Sequence, residues 1–237
     1  MFDFQSPTVG HEALDNPVLS SFYANWRTFS VRFGTAYALP EALGPFAAFG
    51  GASRSAREDF VALVKARKSP VIVVAEGEIA VPRGLIEQKR YCGVQMIPTG
   101  SISTDHEIQF EDLDGFDAPE MLRLAQLTKP GPFALKTYQL GGFIGLRLDG
   151  ELVAMAGQRM GFPGWAEISG VCVHPDFRNR GFARQMVRAM AGRIYQSGAK
   201  PFLHTYADNA KAIALYRLLG FEVRTELNIA QMATCRD

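Results

Sequence analysis

Two arginines and a glycine, Arg178, Arg180 and Gly181, lie between two stretches of contrasting pattern. Before them, Ile168 to Val173 is a short apolar run with β-branched residues, which suits a largely buried strand. Pro175 cannot donate to a sheet ladder and stops it. After them, Ala183, Met186, Val187, Met190, Ala191 and Ile194 recur on one face of a helix. A helix start carries unpaired backbone N–H groups and a partial positive charge. Gly181 has no side chain to hold a ligand away from them, the arginines add formal charge, and no acidic residue follows Asp176 in the loop. This is the chemistry of an anion seat, one suited to a diphosphate. The plain alternative is a solvated loop. The Gly-Lys-Ser/Thr ending of a nucleotide P-loop and the repeated glycines of a dinucleotide fingerprint are both missing from it.

Arg178-x-x-Gly181-x-Ala183, after a strand ending Val-x-Val-x-Pro, resembles the acetyl-CoA signature of the GNAT superfamily of N-acetyltransferases. The later run from Asn209 through Tyr216 to Phe221 resembles that family's second signature. The two stand in order at the expected separation, and the resemblance covers residues 106–237. It implies a GNAT acyl-CoA N-acyltransferase fold there, an α/β (α+β) mixed sheet with helices. For the whole chain it implies a two-part form similar to glycine N-acyltransferase-like acetyltransferases. It also implies acetyl-CoA as co-substrate and direct transfer of an acetyl group to a primary amine of a small molecule or peptide, with no metal. Such catalysis orients two partners, polarises a carbonyl and manages two protons. On this resemblance the backbone of Val171, Cys172 and Val173 pairs with the pantetheine arm, freed where parallel strands splay after a bulge near Gly170. Arg178, Asn179, Arg180, Gly181, Phe182, Ala183 and Arg184 hold the diphosphate, chiefly through main-chain N–H groups.

The proton carriers follow from the same resemblance. Tyr216 sits where the family often places the general acid that returns a proton to the leaving thiolate; a phenol of pKa about 10 suits that task. Its alternative is a half-buried aromatic beside Leu215 and Leu219. Asn209 is a helix cap, a coenzyme contact, or both. The general base stays open among Glu167, His204 and water. Glu167 lies on the strand that lines the thioester, though an acidic residue at a strand start is otherwise a solvated edge position. A lone histidine such as His204 is otherwise packed in place, and His174, before Pro175, is a weaker candidate. Cys172 suggests a thiol nucleophile, but no histidine partner is placed by sequence and its backbone role suffices. Tyr138, Trp165, Phe162 and the turn from Pro130 to Phe133 are expected to border the acceptor pocket. The N-terminal half then covers one wall of it, or serves only dimerisation or stability.

Composition limits the remaining classes. The chain has 237 residues, 47% of them hydrophobic and 21% charged, so it carries a packed core. Its 25 Lys and Arg nearly balance 24 Asp and Glu, against broad binding to nucleic acid or anionic membrane. Three dispersed cysteines, Cys92, Cys172 and Cys235, form neither a metal pair nor a disulfide framework. No signal peptide or bilayer-length apolar run is visible, so a soluble cytoplasmic protein is the expectation, and a homodimer is allowed.

The elements that must position these residues come in order. Asn16 and Pro17 open a helix expected to run to Phe33, its stripe Leu19, Phe22, Trp26, Phe29, Phe33 packing in the core, with Gly34 closing it. A second helix spans Ala56 to Arg67, with Ser55 and Glu58 as a capping box. Val71 to Val74 and Tyr91 to Ile97 are strands. Helix, strand, helix, strand, strand reads as a degenerate copy of the following fold, without its own anion loop. The boundary falls at 105, giving an N-terminal α/β region (1–105) and a GNAT domain (106–237). Ile108 and Phe110 start a strand; Asp117 and Glu120 box a helix from Pro119. Phe143 to Leu148 and Leu152 to Met155 flank the turn pair Asp149-Gly150 as a hairpin. Pro201 to Tyr206 is a strand, a helix capped at Asp208 or Asn209 ends at Gly220, and Phe221 to Ile229 returns as a strand. Two other functions fit these residues: a non-catalytic coenzyme A-binding module, and transfer from a longer acyl-CoA.

Overall fold

In a computed structural model, which describes residues 11–235, Asn16 Oδ1 accepts the Leu19 N–H at 3.1 Å and Pro17 takes the first position of α1 (Pro17–Tyr23). The helix then stops ten residues short of expectation. Trp26 Nε1 donates to the Arg159 carbonyl at 2.8 Å, and Asn25 holds the Gly161 N–H at 3.2 Å. These bonds to a distant strand draw the chain out of helical register. Phe22 and Trp26 are still buried, but Phe33 is 53% exposed and ends β1 (Val31–Phe33). Gly34 turns β1 into β2 (Ala36–Ala38), which pairs with β3 (Ala47–Phe49).

Helix α2 (Arg54–Lys65) is capped by Ser53, which accepts the Ala56 N–H at 3.1 Å, instead of by the expected Ser55–Glu58 box; Glu58 pairs with Arg54. Two strands follow, β4 (Val71–Ala75) and β5 (Leu85–Pro98), the latter longer than its apolar part alone marked. The expected strand at Ile108 and Phe110 is displaced: Ile108 N–H binds Gln185 Oε1 at 3.2 Å, and β6 is Glu111–Leu113. Helix α3 (Ala118–Thr128) lacks the predicted capping box. Asp117 and Glu120 both bind the Arg147 guanidinium, so their carboxylates are turned to a strand and away from the helix end. The Asp149-Gly150 hairpin joins β7 (Phe143–Leu148) to β8 (Glu151–Phe162) as expected, and β9 (Trp165–Val173) follows. Then come α4 (Phe182–Gln196), β10 (Lys200–Tyr206), α5 (Ala210–Leu218) and β11 (Phe221–Thr234).

Eight strands form one mixed sheet in the order β4-β11-β5-β10-β9-β8-β7-β6, beside the small sheet β1-β2-β3. All neighbours in the large sheet are antiparallel except β9 and β10. Strand β5 is inserted between β10 and β11, so the hydrogen-bond ladder crosses the boundary expected at 105. Among the described residues, 11–105 build no second copy of the fold; their two long strands complete the sheet of the other half. One sheet face packs Met186, Val187, Met190 and Ile194 of α4 on Ile168 and Leu203. The other buries Phe22, Trp26, Phe162, Trp165 and Phe202 beneath α1. Helix α3 seals Phe143, Met155 and Cys172, and α2 seals β4 and the end of β11. Among the described residues no helix is long and apolar enough to cross a membrane.

Candidate active site

Parallel β9 and β10 are paired only from Trp165↔Lys200 to Ile168↔Leu203, although β9 continues to Val173 and β10 to Tyr206. They part because β9 bulges. From Gly157↔Ser169 to Met155↔Cys172, β8 advances two residues while β9 advances three. Gly170 carries the bulge at φ +62°, and a Cβ there would lie 2.9 Å from the Phe143 ring. The bulge also exchanges faces: Ile168 packs toward α4 before it, Val171 and Val173 after it. His174 N–H reaches the Val153 carbonyl at 2.8 Å. Alternation along an antiparallel ladder then turns the Cys172 backbone groups to β8 and those of Val171 and Val173 into the gap. Arg178 Nε donates to the Val173 carbonyl from that side at 3.4 Å. Of the three residues expected there, only Val171 and Val173 therefore present backbone to the gap, and Cys172 does not.

The loop beyond β9 ends at the mouth of α4. Gly181 is its N-cap at φ +81° with no side-chain cap, and the first helical bond is Gln185 N–H to Gly181 C=O at 3.1 Å. The N–H groups of Phe182, Ala183 and Arg184 accordingly find no acceptor among the described residues. Asn179 takes φ +64°, which asparagine tolerates. Arg178, Arg180 and Arg184 are exposed, and the Arg180 guanidinium rests over the Phe177 ring at 4.9 Å. His174 is drawn aside, accepting the Asp176 N–H at 3.3 Å.

Tyr216 belongs to the apolar cluster that holds Ile168 and Leu203, the last paired residues of β9 and β10, and packs edge-on to Phe221. It is buried, where half-burial was the sequence alternative. Burial first, then the nearby Cys172 and Glu167, push its hydroxyl up to about 12. Burial likewise pushes the Cys172 thiol up to about 12, against a Thr128 hydrogen bond, so it is no thiolate nucleophile at neutral pH. Asn209 Oδ1 caps α5 through the Ala212 N–H at 3.2 Å while the residue itself is exposed.

Glu167 is the largest departure from expectation. It is 1% exposed, not a solvated edge residue. Its Oε1 accepts from Arg159 Nη2 and His204 Nδ1, both at 2.9 Å; its Oε2 accepts from Arg159 Nε at 3.1 Å and Met160 N at 3.2 Å. All four acceptor positions of the carboxylate are filled, leaving none for a substrate proton. Burial works against its charge, but the Arg159 guanidinium and the His204 bond outweigh burial and hold it at about 2. His204 is equally committed. Nδ1 must donate to Glu167, so Nε2 accepts from Gln95 Nε2 at 3.1 Å; that amide is fixed by its bonds to the Leu14 carbonyl and Arg224. Neither residue offers a free basic lone pair. Arg159 escaped the sequence reading, although a lone arginine inside the apolar run of β8 is itself a sign of a buried ion pair.

Beside this cluster lies a pocket of about 630 Å³, open mouth included. Strands β4, β5, β10 and β11 form its floor, and Phe46 and residues 130–132 close it. The Pro130 turn borders it as expected. Phe162 and Trp165 do not, being core residues against Phe202, nor does Tyr138. The N-terminal half supplies a wall through Phe46, Ile72, Val74 and Tyr91.

Comparison with known proteins matches the geometry. A family model described as FR47-like protein matches residues 143–229. N-alpha-acetyltransferase RimI of Mycobacterium tuberculosis is 34% identical over 83 residues, 34% of this chain and 51% of that protein, so the match spans about half the relative's length. A crystal structure of a GCN5-related N-acetyltransferase from Kribbella flavida shares the fold at TM-score 0.63 and 16% identity, over 93% of this chain and 95% of that one. A protein from Novosphingobium aromaticivorans assigned to the GNAT family of acetyltransferases superposes at TM-score 0.87 with 35% identity, over 94% of this chain and 99% of that one. Similarity of that extent, together with the parted strands and the open helix mouth, establishes that this chain belongs to the GNAT family of acetyltransferases.

Proposed function

We propose that the chain catalyses acetyl-CoA-dependent N-acetylation of a primary amine on a small molecule or peptide. The observation that carries this reading is the gap between β9 and β10 running into the uncapped start of α4. Three features fit coenzyme A. Val171 and Val173 turn their backbone groups into the gap, Phe182 to Arg184 present N–H groups, and Gly181 at φ +81° takes the left-handed cap that brings the loop to them. Arg178, Asn179, Arg180, Gly181, Ala183 and Asn209 complete the holding set. The donor supplies an acetyl group activated as a thioester. The amine nitrogen forms the C–N bond as the C–S bond breaks; its proton leaves to water and the sulfur takes one from Tyr216. Glu167 and His204, both saturated, serve to fix Arg159 and the end of β10, so water removes the proton.

Enzyme, acetyl-CoA and a panel of amines are expected to release free thiol, measured by a colorimetric thiol reagent; no release with any amine overturns the reading. Arg180→Glu is expected to weaken coenzyme A binding about tenfold at low salt by titration calorimetry, because it reverses a charge beside the cradle. An unchanged affinity would remove the diphosphate from this loop.

A further inference from the structure

The pocket beside the gap has a composition that narrows the acceptor, on the reading that the chain is an N-acetyltransferase. One wall is His204, Thr205 and Tyr206, the part of β10 that pairs with β5 but lies beyond its pairing with β9. Arg159, in the same lining, is bonded to Glu167 on β9. The floor is aliphatic, with Ile72, Val74, Leu227 and Ile229. Among the described residues Arg159 is the sole charged residue lining it, and that charge is cancelled by the two-point bond to Glu167. Arg159 Nη1 is further taken by the Pro132 carbonyl at 3.2 Å, and His204 by Glu167 and Gln95. Among the described residues no carboxylate lines the cavity. A second cationic group carried into it would lose hydration without gaining a counter-charge, which costs several kcal/mol for a buried ion. Two phenol rings, Tyr91 and Tyr206, stand 5.5 Å apart at one side, Tyr91 being 38% exposed at the mouth. Their rings are tilted by 48° to one another, a notch that a third ring can enter edge to face.

We infer that this pocket receives the acceptor, and that the acceptor is a compact primary amine with an uncharged apolar or aromatic body, reacting as the free base; polyamines and basic peptides are excluded from it.

Initial rates with acetyl-CoA and 2-phenylethylamine, spermidine or tetralysine test this. The expected kcat/KM for 2-phenylethylamine exceeds both others by at least about tenfold, a difference of ~1.4 kcal/mol. Equal or reversed preference overturns the inference. Tyr91→Glu, at an exposed position, is expected to reduce kcat/KM for 2-phenylethylamine about fivefold or more, narrow the gap to spermidine, and leave coenzyme A affinity unchanged. If Tyr91→Glu alters only the preference among acetyl-, hexanoyl- and benzoyl-CoA, the pocket holds the acyl chain and the inference falls. Thiol release that favours spermidine sinks this inference alone, whereas no release with any amine sinks the transferase reading beneath it.

Discussion

Tyr216→Phe is expected to lower kcat about a hundredfold while changing coenzyme A affinity less than about threefold, since positioned acid–base groups contribute ~10²–10⁴ and the ring itself is kept. The phenyl ring preserves the packing in the cluster of Ile168 and Leu203 and the contact with Phe221, so only the hydroxyl is tested. A hydroxyl at about 12 is a poor acid toward a thiol in water. The thiolate that leaves the thioester is a strong enough base to draw on a positioned phenol only as its charge develops, so the hydroxyl acts in the transition state and not as a free acid. The sign of the pH effect follows. A raised pKa keeps the proton on Tyr216 to higher pH, so the rate should show no fall from its ionisation below about pH 11. The measurement is kcat by thiol release from pH 6 to 10 for both proteins. An unchanged kcat in the variant would leave Tyr216 a packing residue.

Arg159→Met is expected to destabilise the fold by about 3–5 kcal/mol, the cost of leaving a buried charge unpaired. Glu167 loses both guanidinium bonds, the Pro132 carbonyl loses its donor, and the stacking over Phe46 at 4.8 Å is lost. The pH dependence should reverse. In the parent, Glu167 sits at about 2, below its unfolded value, so its stabilisation is complete above about pH 5 and is lost as pH falls toward 2. Without Arg159, burial dominates and raises the group above its unfolded value. Stability from that group is then greatest in acid and declines as pH rises. Urea unfolding at pH 4 and pH 7 distinguishes the two. The double change Arg159→Met with Glu167→Met should recover part of the loss and abolish the pH reversal: the unpaired carboxylate is gone, but the His204 and Met160 N–H groups lose their acceptor. A single variant within about 1 kcal/mol of the parent would show the ion pair to be dispensable.

The same pair explains why the sequence leaves the proton acceptor open among Glu167, His204 and water. Glu167 was visible as an acidic residue on the strand beside the gap; its saturation was not, because the bonds come from Arg159 on β8, Met160 beside it and His204 on β10. His204 was visible as a lone histidine, but Gln95, which occupies its second nitrogen, lies 109 residues earlier in the chain. The α1 helix fails for a similar reason. Its aromatic spacing holds through Trp26 and then yields to an indole bond with a carbonyl 133 residues away.

What the chain carried in its own order was determined within a few residues: the Asn16 and Asn209 helix starts, the Asp149-Gly150 hairpin, and the open, arginine-flanked mouth of α4. Those depend on cap chemistry, turn preference and the missing Cβ of glycine, which are local energies. Three matters were settled only when distant segments met: the insertion of β5 between β10 and β11, the neutralised Arg159–Glu167–His204 cluster, and the apolar pocket floored by strands from both halves. Burial and pairing are properties of neighbours brought together by the sheet, and no local pattern specifies which carboxylate will find its arginine.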